Sequence, residues 1–159
     1  MVLLKVLLIT GLLLTAYQDI RERQVLWLLF PIIALCSGGL HYNSTLWELF
    51  AANVMVNLGF VFSLFIVIFL YANLKLKTAF KRVFGPGDVL MFLSLALSFA
   101  TISFLVVFVF ALLFSMALHL ILKKGQKNRT VPLAGYMGLF FTMAYLAQWS
   151  GIIKNLYSI

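Results

Sequence analysis

Asp19 and Asp88 are the residues whose type and setting could do chemistry in this chain of 159 residues. Only four side chains are acidic, against twelve lysines and arginines. Glu22 lies between Arg21 and Arg23 and reads as a solvated loop charge. Glu48 opens an apolar run, where a helix N-terminus favours a carboxylate. Asp19 instead closes the first apolar run, in AYQDIRERQVLWLLF (16–30), and Asp88 opens the fourth, behind Gly85-Pro86-Gly87. Taken singly, each reads as structural, Asp88 as an N-cap. As a pair they could activate water. Repulsion between close carboxylates keeps one protonated while the other is ionised, so one takes a proton from water and the other polarises a carbonyl. Helix dipoles predict Asp88 as the base and Asp19 as the first acid. Arg23, one turn beyond Asp19, would reverse the order by pairing with it. The flanking glycines lack side chains and permit unusual dihedrals, so backbone and substrate can approach Asp88 closely.

The elements that must position this pair are membrane helices. Hydrophobic residues make up 64% of the chain and charged ones 10%, whereas soluble domains are roughly 45–50% apolar. The mean hydropathy is +1.10. The expectation is an all-α, polytopic membrane protein, one domain over 1–159, with six helices. The apolar runs are 2–17, 25–40 (broken late by Ser37-Gly38-Gly39), 46–74, a short fourth from Asp88 to about Phe99, 102–122 and 132–153. The 89–122 stretch carries no charge and is too long for one span, so it is split within SFATIS (98–103). Ten of the twelve basic residues then fall in alternate loops: Arg21 and Arg23; Lys75, Lys77, Lys81 and Arg82; Lys123, Lys124, Lys127 and Arg129. The positive-inside rule places those loops in the cytosol and both termini outside. Asp19 and Asp88 then reach the same cytosolic face.

The net charge of +8 reports orientation here and implies no nucleic-acid partner. The N-terminal run has Lys5 as its only early charge and no A-x-A site, so it is expected to be a retained helix. Cys36 stands alone in an apolar run as a small hydrophobe, and no Cys/His spacing suggests a metal. Trp27, Trp47, Tyr71, Tyr136 and Trp149 sit near run ends, as in an aromatic belt. Asn53 and Asn57 share a helix face and read as interhelical hydrogen-bonding groups, or as groups orienting Asp88. With His119 they would line the path of a small transporter or channel, a reading weakened by the lack of an internal repeat.

GPGDV (85–89) matches the GxGD motif of membrane aspartyl peptidases, and the 16–30 segment resembles the first aspartate segment of the type IV prepilin peptidase family. VPLAGYMG (131–138) loosely resembles that family's Pro-containing start of the last helix. The resemblance covers nearly the whole chain. It implies a cytoplasmic-membrane endopeptidase that cuts the short basic leader from prepilins or pseudopilins at the cytosolic membrane edge. Asp19 and Asp88 would be catalytic, Gly85, Pro86, Gly87 and Arg23 would shape the loop or meet substrate, and no metal or organic cofactor is implied. The paired cysteines linked to N-methylation in many members have no counterpart, so peptidase activity without methyltransferase activity is expected. Presenilin-like proteases share GxGD, but Tyr17-Gln18-Asp19 and Pro132-Leu133-Ala134 depart from their Tyr-Asp and Pro-Ala-Leu patterns. A catalytically inactive scaffold for pilin assembly is the remaining alternative.

Overall fold

A computed structural model describes residues 1–74, 85–122, 131–153 and 156–157. Among these the regular structure is helical: α1 (Val2–Glu22), α2 (Leu29–Tyr42), α3 (Trp47–Leu74), α4 (Pro86–Leu95), α5 (Thr101–Leu122) and α6 (Leu133–Trp149). By length and composition α1, α3 and α5 could each cross a membrane. The remaining three are shorter, and α4, with 10 residues, is only about 15 Å long, half the usual hydrocarbon thickness. The basic loop residues 75–82 and 123–129 lie outside the described residues.

The core is built around α1, which packs against both α2 and α6, with α4 against α2 and α6, α5 against α6, and α3 outermost. On α1 the buried positions are Leu8, Gly11, Leu12, Thr15 and Ala16, the three-and-four spacing of one helix face. α3 buries only Asn57, Val61 and Ala72. It exposes large apolar side chains such as Met55, Phe62 and Val67, as a helix apolar all round does when lipid is its solvent. The Lys5 ammonium lies 4.9 Å from the Trp149 ring centre. This contact sets the start of α1 beside the end of α6, so the two run antiparallel.

Several expectations need correction. Ser37-Gly38-Gly39 does not break α2, which runs on to Tyr42. A Cβ on Gly38 would sit 3.1 Å from Leu97 Cδ2, so this small position lets the α4–α5 turn close onto the helix. Tyr136 is fully buried and is no belt residue, whereas Trp27, Trp47 and Tyr71 are exposed. The charge-free stretch divides at 96–100, slightly earlier than expected. Asn57 Nδ2 donates to the carbonyls of Ala96 and Phe99, both at 3.0 Å. Asn53 Oδ1 accepts from Thr101 N and Thr101 Oγ1 at 3.3 and 3.0 Å. The asparagine pair therefore holds the α4–α5 turn and does not orient Asp88. Carbonyls released where a helix breaks need donors in an apolar surrounding, and the amides supply them.

Candidate active site

The stripe that α1 turns toward α6 continues one step beyond Ala16 to Asp19, which is half-buried in the last turn of the helix. Opposite it, α6 begins after Pro132 without a side-chain cap of its own. A helix start leaves its first N–H groups without intrahelical partners. Two of them in succession are taken by the two aspartates. Gly135 N donates to Asp19 Oδ2 at 2.7 Å, and Ala134 N donates to Asp88 Oδ1 at 2.9 Å. Carboxylates from α1 and α4 thus converge on the positive end of α6, where the macrodipole favours negative charge.

Close approach of backbone to backbone makes this possible. A Cβ on Gly135 would stand 3.1 Å from Asp19 Cβ and 3.2 Å from the Ala16 carbonyl oxygen. One turn further, a Cβ on Gly138 would stand 3.1 Å from the Leu12 carbonyl oxygen. The pair forms a seam of small residues along which α1 and α6 touch, the usual way apolar helices come close. Ala134, Gly135 and Gly138 were not singled out as site residues. Their signal in the sequence was the spacing of small residues in LAGYMG, directly after a proline.

Asp88 is the third residue of α4, not its N-cap; Gly85 holds that position, with Pro86 and Gly87 in the first helical turn. Gly85 has an ordinary extended conformation, φ −71° and ψ 147°, and neither Gly85 nor Gly87 has positive φ. The unusual dihedrals that glycine permits are therefore not used. Gly85 matters for space: a Cβ there would lie 3.1 Å from Asp88 Oδ2. Its backbone also hydrogen-bonds the Asp88 carboxylate, in the manner of a third helical residue reaching back to its cap. A Cβ on Gly87 would meet only the Phe30 ring, at an ordinary 3.7 Å. Pro86 suits the first helical position, where no N–H is needed.

Arg23 closes α1 in the left-handed conformation, φ 58°, and its guanidinium acts electrostatically on Asp19. Gln18 Oε1 accepts from Leu26 N at 2.9 Å, folding the α1–α2 connection back beside the aspartate. The two carboxyls act on each other electrostatically, and the backbones of Ala134 and Gly85 both hydrogen-bond Asp88. Comparison of the chain with protein-family models, with curated proteins and with solved structures finds no match. The chemistry of the site therefore rests on its own geometry. Among the described residues, His, Cys, Asp and Glu form no group of three able to hold a metal ion. What the arrangement offers is two carboxyl groups that act on each other, Asp19 accepting from Gly135 N and Asp88 from Ala134 N with the Gly85 backbone beside it.

Proposed function

We propose that the protein is a membrane aspartyl endopeptidase that removes the short basic leader from prepilin-like or pseudopilin precursors. The reading places it in the cytoplasmic membrane with six membrane helices, both termini outside and the aspartates at the cytosolic edge. One observation carries it: Asp19 and Asp88, 69 positions apart in sequence, bind consecutive N–H groups of one helix start. Two isolated helix caps would have no reason to meet there.

In the mechanism this supports, Asp88 is the protonated partner at the start, because the Arg23 guanidinium acts on Asp19 and favours the negative charge there. Asp19, which also accepts from Gly135 N, is the base. This reverses the order that helix dipoles alone suggest. Asp19 takes a proton from a water molecule as the water oxygen bonds to the scissile carbonyl carbon. Asp88 gives its proton to the carbonyl oxygen, leaving a neutral gem-diol. Asp88, now ionised, takes a hydroxyl proton back, the C–N bond breaks, and Asp19 passes its proton to the leaving nitrogen. Both carboxyls return to their first state. The precursor's leader stays in the cytosol and its apolar helix enters the bilayer, so the scissile bond lies at the depth of the pair. No cofactor takes part.

The transporter reading loses support because Asn53 and Asn57 are committed to the α4–α5 turn. The deciding experiment is cleavage of a prepilin-like precursor from the same genome, co-expressed in a host without its own peptidase. The parent protein should cleave. Asp19→Asn and Asp88→Asn should insert equally well and not cleave. Cleavage that survives either substitution returns both carboxylates to helix capping. Failure of the parent on all precursors, with pilin assembly still dependent on the chain, would favour the scaffold.

A further inference from the structure

Two arginines close α1, and the fold gives them different partners. Arg21 Nη1 donates to the Tyr17 hydroxyl one turn back, and its guanidinium lies 5.5 Å from the centre of that ring. Both side chains are exposed. Arg23 is half-buried and acts electrostatically on Asp19. Asp88 of α4 also acts on Asp19. From α6 the aspartate meets the Gly135 N–H, with Tyr136 next in the chain. The titratable residues of α2, which also packs on α1, are Cys36, His41 and Tyr42, in its middle and far turns.

The arginine that serves Asp19 sits in a disfavoured conformation. Arg23 has φ 58° and ψ 19°, and among the described residues it is the only non-glycine with positive φ. A residue with a Cβ is strained there, and such strain persists where surrounding contacts over-determine it. One such contact starts beside Asp19. Gln18 Oε1 accepts from Leu26 N at 2.9 Å and closes residues 19–25 into a loop that contains Arg23. Leu26 is fixed on its other side as well, because its carbonyl accepts from Leu29 N at 3.0 Å, at the start of α2. Gln18 therefore joins the last turn of α1 to the first turn of α2 across the strained residue.

We propose that Gln18 is a positioning residue for Asp19: its bond to Leu26 N holds the α1–α2 connection in the path that keeps the Arg23 guanidinium within electrostatic reach of the aspartate. The expected effect on rate rests on the peptidase reading; the effect on Asp19 itself does not. Gln18 touches no reacting atom. It acts through Arg23, whose positive charge favours the ionised form of the base.

The test compares Gln18→Ala, Arg23→Gln, the double variant and Arg21→Gln in the full chain. Precursor cleavage against pH gives the first readout. Gln18→Ala should move the acid limb to higher pH, as Arg23→Gln does. On that side of the profile it should lose about 10-fold, inside the roughly 10²-fold that a misplaced group can cost. The rate at the top of the profile and the thermal midpoint should stay close to the parent's. The double variant should move the limb no further than Arg23→Gln alone, and Arg21→Gln should leave it in place. The second readout needs no activity. The chain has two aspartates, so ¹³C-carboxyl aspartate in an Asp88→Asn background reports Asp19 alone, in detergent micelles. Its titration should follow the same pattern across the four variants. A Gln18→Ala protein with limb and titration unmoved overturns the proposal, as does a double variant that moves beyond Arg23→Gln. An equal loss at every pH with a lowered midpoint also overturns it, in favour of a bond that only braces the connection. If the parent does not cleave, or Asp19→Asn still cleaves, the peptidase reading falls and the Asp19 titration decides the proposal by itself.

Discussion

The two ends of the bundle solve the same problem with different materials. At one end, two carboxyl groups are held by backbone N–H groups, and helices approach over glycine. At the other, neutral side chains and stacked rings fill the space among His41, Phe99, Tyr145 and Tyr157. Backbone donors at a helix start are fixed by the helix itself and lose little freedom when a carboxylate binds them. Side-chain networks need every rotamer fixed by packing. The first arrangement suits groups that must change protonation without moving, and the second suits a joint that only has to hold. Substitutions at the two ends should accordingly separate activity from stability.

The largest expected effect is at the carboxylates. Asp19→Asn or Asp88→Asn should lower cleavage by at least about 10²–10⁴-fold, the range for loss of a positioned acid or base. Gel-shift processing of a precursor reads this directly. Next comes the glycine seam. Gly135→Ala pushes a methyl against both Asp19 and the Ala16 carbonyl. Overpacking of this kind costs about 1–3 kcal/mol, and a displaced Asp19 should lose about 10²-fold in rate. Gly138→Ala clashes with the Leu12 carbonyl, one turn from the carboxylates. It should cost similar stability with a smaller loss of cleavage. Equal activity losses for the two alanines would break the distinction between positioning and packing.

The far end should behave in the opposite way. Asn57→Leu strands the carbonyls of Ala96 and Phe99, costing roughly 2–3 kcal/mol for two buried bonds. Cleavage below the melting transition should remain close to the parent's. A loss of activity matching that of Gly135→Ala would mean that the α4–α5 turn sets the aspartate geometry.

How much of this was legible in the sequence differs between the ends for a physical reason. The helices follow from apolar runs and charge-bearing loops, so six segments were readable within a few residues. The split of the 89–122 run was readable because no single span is that long. Asp19 and Asp88 stood out because acids are scarce in an apolar chain. The α6 backbone donors could not stand out, since every residue but proline has an N–H and only the fold decides which remain unpaired. Ser37-Gly38-Gly39 misled for a related reason. Small residues mark either a break or a close contact, and the partner that decides between them, Leu97, is remote in sequence. Tyr136 misled because position near a run end says nothing about which side of the helix faces the core.

The smallest effect concerns pH, and it reads the roles of the two carboxyls. Under the proposed roles cleavage needs Asp88 protonated and Asp19 ionised, so the rate should fall on both sides of a bell-shaped profile. Arg23→Gln removes the positive charge that acts on Asp19, so the acid limb of the profile should move to higher pH. An acid limb that stays in place would remove Arg23 from the assignment, and the dipole-based order, with Asp88 as base, would then stand.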